Sequence, residues 1–246
     1  MLEKGSFLSV EPENYLMQEV RSPALYNAVI SAIASGETKV SSIANAVNMP
    51  TPATVQYLKS LIELGIVEKS MPVLMANKKQ GVYRVADSLF RFWYRFVPKY
   101  AAALELGLSK ETARAIVEES MSTFLGPVFE EACRQWLMRE IGKRDLTILP
   151  TGIGSWWGND PVRKQQAEID IVITGAEGEL IIGECKWREK ETDADVIDTL
   201  VHRSGLLPGS DKKLYVFSKA PFTEACRESA ERHRAILVQA NEMIGS

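Results

Sequence analysis

The chain has 246 residues, 46% hydrophobic and 25% charged, with a formal net charge of −3 at pH 7. This composition is typical of a globular protein with one large or two ordinary domains, and the charge leaves nucleic-acid binding to a local basic patch. Three scattered cysteines and two histidines argue against a disulfide scaffold or a histidine-rich metal site and favour a cytoplasmic protein. No apolar run reaches the roughly 18 residues that span a bilayer, so no membrane contact is expected.

The first part of the chain predicts helices followed by a two-stranded wing. Apolar periodicity indicates helices over 24–34, 41–47 and 53–64, with glycines at 36 and 65 as stop signals. The segments IVEKSMPVL and GVYRVAD then predict two short strands around the polar turn ANKKQG. This order is typical of a winged helix-turn-helix domain, which we place at residues 1–98 with an amino-terminal linker segment.

Polar and basic side chains on the third helix and the wing are candidate DNA contacts: Thr54, Gln56, Lys59, Lys78, Lys79 and Arg84. Contacts from Lys and Arg to phosphate supply most non-specific affinity for DNA. Glu63 and Glu68 dilute the positive charge of this surface. Two roles therefore stay open for this domain, namely binding of duplex DNA and a protein-interaction or spacer role.

A helix rich in aromatic residues, SLFRFWYRFV, follows Asp87 as its cap and precedes Pro98. We interpret it as a core or interdomain helix, because base-stacking platforms lie on exposed surfaces. Residues 99–122 are predicted to be a helical connection.

Residues 123–246 predict an α/β domain. Gly126-Pro127 opens a helix that ends at Gly142, residues 146–149 form a short strand, and TGIGSWWGNDPVRKQQ forms a loop. A hairpin of EIDIVI and LIIGECKW comes next, and a helix, the strand KKLYVFS, another helix and the strand AILVQA complete the order. This pattern predicts a mixed sheet with helices on both faces, so the whole chain is an α+β two-domain protein.

The hairpin carries charges on strands too apolar to face water. Strict alternation places Ile169, Ile171 and Ile173 on one face, and Asp170 on the other with Glu168 and Val172. Glu184 and Lys186 likewise share a face, whereas Cys185 points the opposite way, into the core. Because buried charges are costly unless they are paired or bind a metal, the cluster is either a functional site or a structural ion pair of Lys186.

Asp170, thirteen intervening residues and Glu184-Cys185-Lys186 resemble the core of the PD-(D/E)xK nuclease superfamily, as does the preceding helix FEEACRQWL. Helical phase puts Glu130 on the flank of the apolar stripe and Glu131 on the wet face, so Glu130 is the matching glutamate. The resemblance implies a restriction-endonuclease-like fold in which Asp170, Glu184 and Glu130 bind Mg²⁺ or Mn²⁺ and Lys186 orients or activates the attacking water. The implied activity is metal-dependent hydrolysis of DNA by an endonuclease or resolvase-like enzyme.

Basic residues flank the acids and predict a path for phosphates. Arg163 and Lys164 precede the hairpin, Arg188 follows it, and His202 and Arg203 lie on the next helix. The alternative is an ordinary solvated rim. The tryptophans at 156 and 157 either shape the cleft entrance or pack against the sheet.

The whole chain resembles the C-terminal portion of a family of archaeal and bacterial AAA-type ATPases, a winged helix followed by the domain of unknown function 234. The resemblance rests on YRVADSLFRFWYRFV, GPVFEEACRQWL, IGSWWG and the hairpin. The sequence has no GxxxxGK[ST] phosphate loop, so an ATPase domain or another protein is an implied partner besides DNA. The alternative function is a non-catalytic DNA-binding or protein-interaction module whose nuclease-like fold is structural.

Overall fold

The computed structural model describes residues 10–74, 81–105, 110–143 and 148–244. The chain divides into two compact units. The first contains the described residues up to Met71 and from Gly81 to Ser120, and the second contains Pro72–Leu74 and the described residues from Met121 onward. None of the described helices is long and apolar enough to cross a membrane.

The first unit is a helix-turn-helix region followed by a two-stranded sheet, as the sequence predicts. Its helices are α1 (Glu11–Glu19), α2 (Pro23–Ala34), α3 (Val40–Ala46), α4 (Thr51–Glu63) and α5 (Ser88–Glu105), and its antiparallel strands are β1 (Val67–Ser70) and β2 (Val82–Val85). Gly36 and Gly65 follow α2 and α4 with φ angles of +113° and +72°. This left-handed conformation favours glycine, which explains why the helices stop there.

Residues 11–19 were expected to belong to a linker, but they form α1. Leu16 is fully buried in the core of the first unit, and the ring of Tyr15 meets that of Phe90 edge to face at 5.8 Å. The helix is short and only one of its faces is apolar, which explains why periodicity alone does not reveal it.

The aromatic helix is a core element, as predicted. Phe90, Trp93 and Tyr94 are buried in the same cluster as the apolar residues of α2 and α4, and the Asp87 carboxylate caps α5 by accepting from the Phe90 amide at 2.9 Å. The predicted end of the helix before Pro98 is wrong, because α5 continues through this proline to Glu105.

The second unit is built on a five-stranded mixed sheet, which confirms the predicted sheet type. Its elements are α6 (Lys110–Gly142, of which the residues from Met121 belong to this unit), β3 (Pro150–Asp160), β4 (Gln165–Gly175), β5 (Leu180–Lys186), α7 (Ala194–Ser204), β6 (Lys212–Ser218), α8 (Glu224–His233) and β7 (Ala235–Gln239). The strand order is β3-β4-β5-β6-β7. The β3–β4 and β4–β5 pairs are antiparallel, whereas β5–β6 and β6–β7 are parallel.

Two buried clusters lie on the two faces of this sheet. One joins Ile169, Val172 and Ile182 to the apolar residues of α7 and α8, and the other joins Ile171 and Ile173 to those of α6. Helices therefore cover both faces, as the pattern of elements predicts.

The glycine-rich segment 151–160 was predicted to be a loop but forms most of β3. Gly158 faces Trp156, since a Cβ at Gly158 would lie 2.7 Å from an atom of the indole ring. Trp156 itself is buried against the sheet core. Glycine in this strand therefore reflects a close approach to a side chain rather than a turn.

Three further boundaries differ from the prediction. Gly126-Pro127 does not open a helix, because α6 begins at Lys110 and passes through Pro127. The predicted strand at 146–149 begins outside the described residues, and its described part precedes β3. The first wing strand ends at Ser70 rather than Leu74, and the Val73 amide donates to the Ser155 carbonyl at 2.9 Å, within the second unit.

Candidate active site

A β-bulge in β4 lies at Asp170. The β3–β4 register pairs Gly154 with Val172 but Trp156 with Ile169, so Ser155 alone faces two residues of β4. The extra residue reverses the alternation of side chains, which is why Ile169 and Val172 pack on one face. The predicted common face of Ile169 with Ile171 and Ile173 is therefore wrong. Bulges bend a strand and re-aim its side chains.

Asp170 lies where β4 and β5 stop pairing. Ile171–Gly183 is the last pair of that ladder, and the next donor on β5, the Cys185 amide, binds the Asp170 carboxylate at 2.8 Å. The side chain is half-buried, and within the described ranges it makes no ion pair. Burial, followed by the charges of Glu184 and Glu130, raises the pKa of the Asp170 carboxyl to about 8.

Glu184 is more deeply buried than Asp170 but is surrounded by cations. It is 4% exposed, and its Oε1 accepts from Lys186 Nζ at 2.6 Å. From α7, Arg203 Nη1 lies 3.3 and 3.2 Å from the two carboxylate oxygens. Arg203 was predicted to contact phosphate, but in this structure it neutralises an acid.

Glu130 lies on α6, and its charge acts on Asp170. It is half-buried and contributes to the raised pKa values of Asp170 and Cys185. Glu131 is 53% exposed and binds Arg134 Nε at 2.9 Å. The structure thus brings Glu130, rather than Glu131, into the electrostatic environment of Asp170.

Arg134 is a residue of this region that sequence reasoning missed. Its Nη1 donates to the Asp170 carbonyl at 3.2 Å. Its position four residues after Glu130, on the same side of a helix, was the available signal. Asp160 was missed too: it is 2% exposed and lies 2.7 Å from His202 Nε2, so His202 also contacts an acid.

The three carboxylates predicted to bind a metal ion do not form a complete metal site. Among the described residues, no three His, Cys, Asp or Glu side chains converge closely enough to hold an ion. Two carboxylates remain, because Asp170 and Glu184 occupy adjoining positions of β4 and β5. Mg²⁺ is usually held by one or two carboxylates and several waters, so oxygen ligands of this kind suit the ion, while Glu184 also binds Lys186 and Arg203. The raised pKa of Asp170 also marks a place where added positive charge is favourable.

Cys185 is partly buried and packs against the cluster between the sheet and α6, the side on which it was predicted to face the core. Burial raises the pKa of its thiol, and a hydrogen bond with the Cys133 thiol from α6 adds to the shift. Neither cysteine is in a disulfide. A thiol whose ionisation is opposed in this way is a poor nucleophile.

One of the predicted DNA contacts in the first unit is wrong. Thr54 is fully buried, and its hydroxyl donates to the Pro50 carbonyl at 3.2 Å, because the core-facing side of α4 carries Thr54, Leu58 and Leu61. Gln56 and Lys59 are exposed on the same helix, and Lys59 lies 3.9 Å from Glu63.

The remaining predicted contacts differ in exposure. Arg84 is half-buried on β2 opposite Glu68, whereas Lys78 and Lys79 lie outside the described residues. Arg163 and Lys164 are exposed in the turn between β3 and β4. Arg188 is half-buried after β5, and its Nε is a buried donor without a hydrogen-bond partner in the described part of the chain.

Two family matches cover much of the chain. Residues 93–197 match the domain of unknown function 234, described as "Archaea bacterial proteins of unknown function". Residues 27–69 match the arsR family of bacterial regulatory proteins. The predicted helix-turn-helix region and the domain of unknown function are thus both present. The AAA-type ATPase relationship and the PD-(D/E)xK assignment stay predictions.

A longer protein and two solved structures are similar to the chain. The uncharacterized protein MJECL04 of Methanocaldococcus jannaschii is 26% identical over 209 residues, 84% of this chain and 46% of that protein. The chain therefore spans about half the length of this relative. Protein VC1899 of Vibrio cholerae is 14% identical over 98% of this chain and 55% of its own, with a TM-score of 0.36. Can2 of Sulfobacillus thermosulfidooxidans, solved in complex with cyclic tetra-adenylate, is 11% identical over 98% of this chain and 54% of its own, with a TM-score of 0.38.

Proposed function

We propose that the second unit hydrolyses phosphodiester bonds in DNA with the help of a divalent cation. The observation that carries the proposal is the β4 bulge, which puts the half-buried Asp170 carboxylate beside Glu184 and Lys186 and under the charge of Glu130. Strongly shifted pKa values cluster at catalytic sites, where burial and neighbouring charges set them.

Each residue has a role that follows from its contacts. Asp170 and Glu184 would hold Mg²⁺ or Mn²⁺, which when bound supplies Lewis acidity and lowers the pKa of a water. Glu130 adds negative charge from α6 and favours cation binding, without completing a three-carboxylate metal site. Lys186, 27% exposed and 2.6 Å from Glu184, can turn to the solvent side and offset charge that develops on a phosphate.

The helix-turn-helix region supports DNA as the substrate, because the arsR family it matches consists of regulatory proteins. We propose that Gln56 and Lys59 of α4, Lys78, Lys79 and Arg84 of the wing, and Arg163, Lys164 and Arg188 near the acids contact phosphates. The M. jannaschii relative is about twice as long as the matched part, so the rest of that protein is long enough for a further domain. We propose that an ATPase domain or another protein is a partner of this chain.

Cleavage of plasmid, single-stranded and branched DNA in Mg²⁺ or Mn²⁺ tests the proposal. We expect the wild type to cut at least one of the three, and Lys186→Ala to cut at least about 100-fold more slowly, since a positioned charge at the reacting phosphate is worth about that factor. Lys143→Ala, which changes an exposed lysine at the end of α6, is the matched control and should cut like wild type. If wild type and Lys186→Ala are equally silent on all three substrates, the catalytic proposal fails.

A second candidate is a non-catalytic DNA-binding or protein-interaction module. The observation that favours it is the neutralisation of Glu184 by Lys186 and Arg203, which balances the charge of this carboxylate without a metal ion. This candidate predicts DNA binding in a gel shift that needs no metal and survives Asp170→Ala.

A further inference from the structure

The bulge that carries Asp170 is held from outside its own strand. A classic bulge leaves one residue unpaired in the ladder, and backbone groups released in this way need other partners. At this bulge the Asp170 carbonyl accepts two hydrogen bonds from side chains, one from Ser155 Oγ at 2.9 Å and one from Arg134 Nη1 at 3.2 Å.

The two donors come from different elements. Ser155 is the β3 residue opposite the bulge; it is 6% exposed, and its own carbonyl accepts from the Val73 amide at 2.9 Å. Arg134 comes from α6, the helix that also carries Glu130, and its side chain is only 14% exposed. Strand β3 and helix α6 therefore both donate to the Asp170 carbonyl, and the segment at Val73 holds Ser155 through its own carbonyl.

Arg134 is itself fixed in place. Its Nε donates to Glu131 Oε2 at 2.9 Å, on the solvent side of α6, and its Nη1 also lies 3.5 Å from Ser155 Oγ. A guanidinium held at both ends loses little further freedom when it binds the carbonyl, because its planar fork is pre-organised. The arrangement differs from a surface ion pair, in which the long side chains remain free to rotate.

The same bulge residue holds its carboxylate toward β5, where Oδ2 accepts from the Cys185 amide at 2.8 Å. The hydrogen bonds to its carbonyl fix the peptide plane after Asp170, and the pairing of Ile169 with Trp156 fixes the backbone before it. Together these two constraints limit ψ of Asp170 and so set the direction of its Cα–Cβ bond. A change in the two donors would therefore tilt the carboxylate away from Cys185 and from Glu184.

We propose that Arg134, with Ser155 as its partner, is a positioning residue that locks the β4 bulge and so aims the Asp170 carboxylate at the cation site. Both residues act through the Asp170 carbonyl, to which they donate. The consequence for cation binding rests on the proposed function, whereas the consequence for the geometry of Asp170 does not. Outer-shell partners of metal ligands typically change metal affinity 10- to 100-fold when they are removed.

The experiment compares full-length Arg134→Ala, Ser155→Ala and Arg139→Ala with wild type. Arg139 is an exposed arginine of the same helix and serves as the matched control. Ser155→Ala removes one hydroxyl and keeps the charge of α6, so it tests the bulge even if Arg134→Ala unfolds.

Two readouts are measured. The first is hydrogen exchange of the Cys185 amide in metal-free protein, with the Ile182 amide of the same strand as the internal reference. The second is Mn²⁺ affinity, followed by the electron paramagnetic resonance signal of free Mn²⁺. We expect Arg134→Ala and Ser155→Ala to raise exchange at Cys185 about tenfold relative to Ile182 and to weaken Mn²⁺ binding about tenfold, while Arg139→Ala changes neither.

The outcomes separate the two proposals. If Arg134→Ala and Ser155→Ala match Arg139→Ala in both readouts, the positioning role is wrong. If Cys185 exchange rises but wild type neither binds Mn²⁺ nor cuts DNA, the proposed hydrolytic function is wrong, and Arg134 still positions Asp170. If Mn²⁺ affinity falls without a change at Cys185, the bulge is not the cause and the positioning role is again wrong.

Discussion

Helix α4 and the β4–β5 hairpin both carry side chains that the sequence assigns to function. The ion pair on α4 is exposed to water, whereas the acid of the pair in the hairpin is buried. On α4, Lys59 and Glu63 lie 3.9 Å apart with side chains that are 71% and 66% exposed. In the hairpin, Glu184 and Lys186 lie 2.6 Å apart, and the acid side chain is 5% exposed. Water screens the first pair, which contributes about 0–1 kcal/mol. The second pair has lost most of its water, so breaking it is costly.

The hairpin contains a second contrast, between its two acids. Glu184 is balanced by Lys186 and Arg203, whereas Asp170 receives a backbone amide and lies under the charge of other carboxylates. The comparison shows that burial alone does not define a functional acid. What distinguishes Asp170 is burial combined with an excess of negative charge, which a cation would relieve.

The largest expected loss of stability comes from Glu184→Gln. The change keeps the size of the side chain but leaves the cations of Lys186 and Arg203 facing a neutral amide. We expect a loss of about 3 kcal/mol in the free energy of unfolding, at the lower end for a buried pair because both cations are about one quarter exposed. Urea unfolding at pH 7 without metal measures it. An unchanged urea midpoint would mean that the ion pairs of Glu184 contribute as little to stability as the exposed pair on α4.

Asp170→Asn should have the opposite sign. Between its ordinary pKa of 3.8 and about 8, the unfolded chain has ionised Asp170 while the folded protein keeps the proton. The folded state therefore binds more protons, and the stability from this group is complete below pH 3.8 and is lost as the pH rises to about 8. Asparagine is neutral throughout and still accepts from the Cys185 amide, so the variant should be more stable than wild type by several kcal/mol at pH 8, since one pKa unit corresponds to about 1.4 kcal/mol.

The pH dependence distinguishes this effect from a simple change in packing. Thermal or urea unfolding between pH 4 and pH 8 should give a difference between Asp170→Asn and wild type that grows with pH. Asp211→Asn, at an exposed position before β6, is the control and should give a small, constant difference. A constant difference for Asp170→Asn as well would contradict the raised pKa.

Thr54→Val tests the other side of the comparison, since Thr54 is the buried member of the predicted DNA contacts. The variant keeps the shape of the side chain and removes a hydroxyl that donates to Pro50, so we expect a loss of about 1 kcal/mol in stability. DNA affinity of the folded protein should not change. Fluorescence anisotropy with a labelled duplex measures the affinity, and a clear drop would mean that Thr54 becomes exposed when DNA binds.

Lys59→Ala should have the smallest effect on stability, below about 0.5 kcal/mol, because its partner Glu63 is exposed. The effect of Lys59→Ala on DNA binding should be easier to measure than its effect on stability. Loss of one phosphate contact is expected to weaken binding a few-fold and to lower the slope of log affinity against log salt by about 1. If affinity and slope are both unchanged, the protein-interaction role of this unit is favoured over DNA binding.

Local patterns predicted most of the elements. The stop glycines of α2 and α4, the cap of α5 at Asp87 and the strands of the hairpin follow from nearest-neighbour chemistry. The predictions failed where a distant contact decided the outcome. Strand β3 looks like a glycine loop in sequence, and it is a strand because Trp156 lies over Gly158 while β4 pairs alongside.

The acids of the candidate site likewise include one feature that the sequence predicts and one that it does not. Helical phase correctly distinguished Glu130 from Glu131, because phase depends only on residues within two turns. Strand alternation did not predict the bulge, because a single extra residue changes nothing in the composition of β4. It is visible only in the register against β3, where the side chains of Ser155 and Arg134 donate to the Asp170 carbonyl.

The sequence by itself determined most of the elements, the mixed sheet and the positions of Asp170, Glu184 and Lys186 on neighbouring strands. Those properties depend on periodicity and on spacing along the chain. Only the tertiary structure decided that Glu184 is neutralised from α7, that Thr54 points into the core, and that Asp170 faces its neighbours from a bulge. The physical reason is that solvent access and partner charge are set by elements far apart in sequence, and these two quantities decide what a carboxylate can do.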